Sequence, residues 1–154
     1  MKNNQHGYTL IELMVTLIIL GIMSAIVIPN VNPILAGLEM RSAARQLYAD
    51  IYRSKITAME QQKLCCFAVN GTVGWSIVED TDNDNVCDAN DTRIKTFSLT
   101  TNYPDISFNA TIANPIQFDR IGLVTNASTL QLVNSKYDKS ANVTVTISGF
   151  ISMQ

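Results

Sequence analysis

The chain has 154 residues, 47% of them hydrophobic and 16% charged, with a formal net charge of -2. That length supplies one ordinary domain with a core of useful size, and the acidic balance gives no electrostatic footprint for nucleic acid. The single histidine, His6, precedes the first apolar run. A chain trimmed there has no imidazole for Ser-His-Asp or Cys-His catalysis, or for His-ligated zinc.

The first predicted element is an apolar helix. No charged side chain occurs from Leu13 to Leu38, and at about 1.5 Å rise per residue the stretch Tyr8–Pro29 just crosses a bilayer core of roughly 30 Å. Lys2 ahead of the run keeps the short N-terminus cytoplasmic and sends the remainder outward. A secretory signal cut near Ser24-Ala25 is the usual reading of such a start. The length of the run and Glu12 inside it argue instead for a retained helix. A carboxylate at membrane depth costs about 2.5–3.5 kcal/mol on insertion scales, so it asks for a partner. Pro29 removes one helical hydrogen bond and predicts a kink, and Gly21 and Gly37 weaken the helix elsewhere.

The segment Gly7-Tyr8-Thr9-Leu10-Ile11-Glu12-Leu13-Met14-Val15 resembles the processing site of the type IV pilin and pseudopilin family. The resemblance implies that residues 1–7 are a leader, cut between Gly7 and Tyr8 by a prepilin peptidase, and that Tyr8 is then N-methylated. It implies that 8–35 anchor the subunit in the inner membrane and later pack in a filament core, and that 36–154 form a periplasmic globular domain. Glu12 is implied to pair with the N-terminus of a neighbouring subunit. The physics agrees, because an unpaired buried carboxylate penalises the isolated anchor and pairing relieves it in one register.

Beyond Pro33 the pattern becomes amphipathic. Ala44, Leu47, Ile51, Ser54 and Ala58 recur at three- and four-residue spacing, with Arg41, Arg45, Arg53 and Lys55 off that stripe, which predicts a second helical half over Ile34–Gln62. The basic side chains read as a solvated face or as part of a subunit contact. From Leu64 the composition turns to strand: Leu64–Val69, Trp75–Glu79, Ile94–Leu99, Ile106–Asn109, Ile116–Phe118, Thr129–Val133 and Val143–Ile147, punctuated by Gly, Asn-Pro and Tyr-Pro. Helix first and short strands after is an α+β order with an antiparallel sheet, and Trp75 is expected in core or interface packing. The Ala-Arg-rich helix, Gly74-Trp75, the Asp-rich turn and Phe118-Asp119-Arg120-Ile121-Gly122 are similar to the GspH/FimT branch of minor pilins. That resemblance implies a pilin fold and a subunit that helps start or cap a filament, with other major and minor pilins or pseudopilins as partners. The C-terminal cysteine pair of major pilins is absent.

Between two predicted strands, Asp80 to Asp91 resembles a calcium loop, with carboxylates from Asp80, Asp82, Asp84, Asp88 and Asp91 and the carbonyl of Val86 at EF-hand positions 1, 3, 5, 9, 12 and 7. Position 6 is Asn85 instead of glycine, position 12 is Asp instead of Glu, and a strand follows instead of a helix. The same residues also read as an Asx-rich solvated turn. Of the three cysteines, Cys65 and Cys66 are adjacent on a strand and point to opposite faces, so Cys66–Cys87 or Cys65–Cys87 forms a disulfide after export. Five Asn-x-Ser/Thr sequons, at Asn70, Asn90, Asn109, Asn126 and Asn142, reflect composition. The leading function is a minor type IV pilin. The rivals are a minor pseudopilin of type II secretion and, more weakly, a DNA-binding tip subunit, for which the C-terminus lacks the Lys or Arg that phosphate contacts need. No required cofactor, small-molecule substrate or catalytic constellation is expected, calcium apart.

Overall fold

The computed structural model describes residues 7–88, 90–109 and 115–154, the side chains of 27–30 excepted. The chain divides into two compact units, Met1–Leu35 and Ala36–Gln154. One helix, α1 (Leu10–Gln61), supplies residues to both.

In the first unit, Thr9 starts the helix. Its Oγ1 accepts the Glu12 amide at 3.3 Å, satisfying a donor that a helix start leaves open, and its carbonyl accepts Leu13 N at 3.2 Å, the first helical bond. Every residue from Gly7 to Ile26 is exposed, on all sides of the helix. The hydroxyls in the run are satisfied internally: Thr16 Oγ1 donates to Leu13 O and Ser24 Oγ to Leu20 O, each at 2.8 Å. Among the described residues, no single helix is long and apolar enough to cross a membrane. The stretches Leu10–Ile26 and Val31–Gln61 reach that measure of length and composition only together. The kink expected at Pro29 lies outside the described residues.

In the second unit the helix turns amphipathic as the spacing predicts. Met40, Ala43, Ala44, Leu47, Ile51, Ser54 and Ala58 are buried, while Arg41, Arg45 and Arg53 are exposed. Lys55 is half-buried, packed over the turn around Gly122. The helix ends in a left-handed residue, Gln62 (φ 56°), with Lys63 N donating to Ala58 O at 3.2 Å. That six-to-one bond closes orphan carbonyls as a C-terminal glycine usually does.

Among the described residues, eight strands follow. They are β1 (Cys65–Val69), β2 (Gly74–Glu79), β3 (Thr92–Ser98), β4 (Ser107–Phe108), β5 (Ile116–Phe118), β6 (Ser128–Asn134), β7 (Lys139–Val145) and β8 (Ile151–Met153), with a one-turn helix α2 (Leu99–Asn102) after β3. They form two four-stranded antiparallel sheets, β3-β2-β1-β5 and β4-β6-β7-β8, where the sequence had suggested one. Leu99 was expected to end a strand. Instead its amide donates to Val73 O at 2.7 Å and its carbonyl accepts Tyr103 N at 2.6 Å, so it opens a helical turn and buries its side chain. The strand expected over Val143–Ile147 is earlier, Lys139–Val145, because it pairs residue for residue with β6 from Asn134 to Ser128.

The core lies between the buried stripe of α1 and the two sheets. Trp75 sits at its centre, with ring centroids 4.4 Å from Phe97, 6.1 Å from Phe67 and 6.0 Å from Phe108. The first two partners belong to its own sheet and the third to the other sheet. One side chain therefore joins both sheets, at separations where aromatic pairs add about 0.5–1.5 kcal/mol each.

Candidate functional site

Gly7 and Tyr8 precede the helix in irregular, exposed chain. Glu12 stands in the first helical turn, exposed, with its amide on the Thr9 hydroxyl. A carboxylate is favoured there by the positive end of the helix dipole. The Gly7–Tyr8 peptide bond is thus exposed just ahead of the helix, with a negative charge in the helix's first turn.

The acidic segment between β2 and β3 is wired by its own carboxylates. Asp80, fully buried, accepts Asn83 N on Oδ1 (2.7 Å) and Asn85 N on Oδ2 (3.0 Å). Both asparagines take left-handed backbone, φ 62° and 63°, which Asn tolerates better than most residues. Asp82 accepts Asp84 N at 3.3 Å, Asp84 accepts Val86 N at 2.7 Å, and Asp88 accepts Asn90 N at 2.7 Å. Asp91 closes the neck by accepting Thr81 N (2.9 Å) and Asp88 N (3.0 Å). Of the six residues expected as metal ligands, Asp80, Asp82 and Asp84 come together, with carboxylate oxygens within 4.8 Å of one another. Asp88 and Asp91 lie outside that group, the Asp91 carboxylate accepting the Asp88 amide and the Asp88 carboxylate accepting Asn90, and Val86 is held by its amide. The Asp84 amide pulls the Asp82 carboxyl down. Desolvation and repulsion from Asp84, Asp91 and Asp80 together outweigh that pull, so its pKa stands above the ordinary value. The Asp88 and Thr81 amides hold Asp91 below the ordinary value.

Cys66 and Cys87 form a disulfide, with Cα atoms 6.3 Å apart, that ties this segment to β1. Cys65 is free and faces the core. Burial and the negative charge of its cross-strand neighbour Glu79 push its thiol up to about 12, so it has no nucleophilic character at neutral pH.

A buried polar cluster escaped the sequence reading. Asp50 on α1 is 3% exposed and accepts the Trp75 indole Nε1 at 2.9 Å and Lys95 Nζ at 2.7 Å. It pins the helix to β2 and β3 at once. A lone aspartate among surface charges gives no hint of this, because carboxylates are almost never fully buried unless paired.

Residues 2–28 match the family model of the prokaryotic N-terminal methylation motif, and residues 43–149 match that of the type II transport protein GspH. Among solved structures, the chain is similar to the type IV minor pilin FimU of Pseudomonas aeruginosa strain PAO1, with a TM-score of 0.57 and 16% identity, covering 75% of this chain and 88% of that one. Identity that low carries the fold alone, and the fold agrees: a long N-terminal helix followed by antiparallel sheets. No curated protein matches the chain. The exposed glycine-tyrosine start, the long helix and the two-sheet domain thus coincide with both family models, and the chain belongs to the GspH family of minor type IV pilins and pseudopilins.

Proposed function

We propose that this chain is a minor type IV pilin that helps initiate or cap a pilus, and that it works as a structural subunit with no catalytic role. One observation carries the reading: α1 leaves its apolar residues from Leu10 to Ile26 exposed on every side and then buries a stripe from Met40 onward. A helix that is apolar all round needs an apolar environment from elsewhere, a bilayer or neighbouring helices. On this reading residues 1–7 are removed between Gly7 and Tyr8, Tyr8 is methylated, 8–35 anchor the subunit in the inner membrane, and 36–154 project into the periplasm. Glu12 then pairs with the N-terminal amine of a neighbouring pilin during assembly.

A minor pseudopilin of type II secretion is the second reading, favoured by the family model named for type II transport over residues 43–149. A clean deletion, scored in parallel for surface pili and for secretion of extracellular enzymes, tests both. Lost pili with intact secretion is the expected result. Intact pili with enzymes trapped in the periplasm assigns the chain to the pseudopilus. The Asp80, Asp82 and Asp84 group is proposed as a weak calcium site, because hard oxygen donors at that spacing suit Ca²⁺ and a cation relieves the repulsion on Asp82.

A further inference from the structure

Near the start of the second unit, α1 and strands β7 and β8 line a groove of about 500 Å³, within the range of roughly 300–1,000 Å³ found for small-molecule sites. Its floor is apolar: Met40 and Ala44 are buried, Ala141 is half-buried, and Met153 lines it as well. Arg41, Arg45 and Lys139 stand exposed around that floor, and Ser140 adds a hydroxyl. Among the described residues, none of the three cations makes an ion pair. No Asp or Glu side chain lines the groove; Glu39 and Asp138, close to these cations in sequence, lie outside it. A carboxylate on Gln154, one oxygen of which accepts Asn142 N at 3.0 Å, still leaves the balance positive.

Arg41 and Arg45 are one helical turn apart, where like charges repel. An anion held between them removes that repulsion, and a guanidinium fork matches two phosphate oxygens at once. Leu38, Arg41 and Arg45, at positions i, i+3 and i+7, share one exposed face of α1. That face passes from apolar to cationic in the direction away from the anchor. Gly37 also lines the groove, two residues beyond Leu35, where the anchor is read to end. Chain connectivity alone keeps it within about 7 Å of that residue. A headgroup layer is about 5–7 Å deep on each side of the hydrocarbon core, so the groove begins at the level of lipid phosphates.

We propose that this groove binds an anionic phospholipid of the membrane that holds the anchor. The lipid phosphate lies among Arg41, Arg45 and Lys139, and its first carbons cover the floor of Met40, Ala44 and Ala141. Each cation beside an anionic leaflet strengthens binding about fivefold. A zwitterionic lipid brings its own cation to the phosphate and gains less from three basic side chains. Free phosphate has nothing to place on the apolar floor, and so forgoes the gain from covering it. The proposal deepens the reading of the chain as a membrane-anchored subunit, and rests on it. It keeps the globular unit on the leaflet until assembly draws the chain out.

The test is native mass spectrometry of the full chain, released from neutral-detergent micelles that carry equal amounts of phosphatidylglycerol and phosphatidylcholine. The wild-type chain is expected to retain one phosphatidylglycerol, roughly tenfold or more over phosphatidylcholine, and salt weakens that preference. A variant carrying Arg41→Ala and Arg45→Ala is expected to retain it roughly twenty-fivefold less, and Lys139→Ala about fivefold less. Arg53→Ala removes an exposed arginine of the same helix outside the groove and leaves retention unchanged. Circular dichroism checks that these variants, all at exposed positions, fold. Equal retention of the two lipids, full retention by the double variant, or an equal loss in Arg53→Ala overturns the proposal. So does displacement of the lipid by millimolar inorganic phosphate or by a short oligonucleotide, either of which assigns the groove a different occupant. The mass of the same protein reports whether residues 1–7 have been removed. A processed, membrane-extracted chain with no lipid preference refutes the groove and leaves the anchor reading standing. A chain absent from the membrane fraction refutes that reading, and the groove's role with it.

Discussion

Replacing Asp50 by alanine is the sharpest perturbation of the globular unit. The change leaves the Trp75 indole N–H, fully buried, without its acceptor at 2.9 Å. An orphaned buried donor costs about 1–3 kcal/mol. It also removes the counter-charge of Lys95, 2.7 Å away. Breaking a fully buried pair costs about 3–5 kcal/mol, but the Lys95 side chain is 27% exposed and can swing into water, so its share stays near 1 kcal/mol or less. The sum is about 3 kcal/mol. Asp50→Asn keeps an acceptor for the indole and loses only the charge, and is expected to cost about 1 kcal/mol. Urea unfolding of the full chain, followed by near-ultraviolet dichroism, reads both. With a slope of about 1–3 kcal/mol per molar, Asp50→Ala moves the midpoint down by 1 M or more and Asp50→Asn by clearly less. Equal effects from the two variants, or an alanine midpoint within error of wild type, would refute the assignment of the cluster as the pin between helix and sheet.

Four further outcomes are expected. Glu12→Ala leaves membrane insertion and leader removal intact and impairs incorporation into filaments, scored by fractionating sheared pili; normal incorporation removes the charge-pair argument. Cys65 resists alkylation in the native chain at pH 8 and reacts after denaturation. Because its folded pKa is raised from 9.0 to about 12, the unfolded chain releases a proton the native one keeps, so its contribution to stability is complete below pH 9 and fades as pH climbs towards 12; stoichiometric native labelling contradicts this. Cys87→Ser opens a link between residues 21 apart in sequence and lowers stability by about 3 kcal/mol, measured against the oxidised wild type in the same urea series. Millimolar calcium raises the melting temperature by mass action, about 2.7 kcal/mol at a hundred times the dissociation constant, and Asp82→Asn with Asp84→Asn abolishes the rise; an unchanged wild-type melt leaves the loop as an ordinary turn.

What the sequence disclosed follows from which interactions are local. The stripe Ala44, Leu47, Ile51, Ser54 and Ala58 is buried as its spacing demands, because helix periodicity reports the core face directly. Glycine, tyrosine and glutamate at the N-terminus are a local chemical pattern, and the methylation-motif model matches there. Pairing between strands is not local. Nothing in Ser107-Phe108 or Ile151-Ser152-Met153 says that these short pieces edge a second sheet, and β8 went unforeseen. The cysteine that joins Cys87 depends on which face of β1 meets the core, a matter of register that one strand cannot reveal. Asp50 was hidden for the same reason: its partners lie 25 and 45 residues away.

The neck of the segment between β2 and β3 has a consequence for engineering. Asp91 ties its two ends by accepting the amides of Thr81 and Asp88, and Cys87 staples its far side to β1. The hairpin register is therefore set outside the stretch from Asp82 to Val86, whose side chains are all exposed. That stretch is a natural port, where a peptide tag or fluorophore can be carried without disturbing either strand. If the subunit caps a filament, such a cargo travels with the cap.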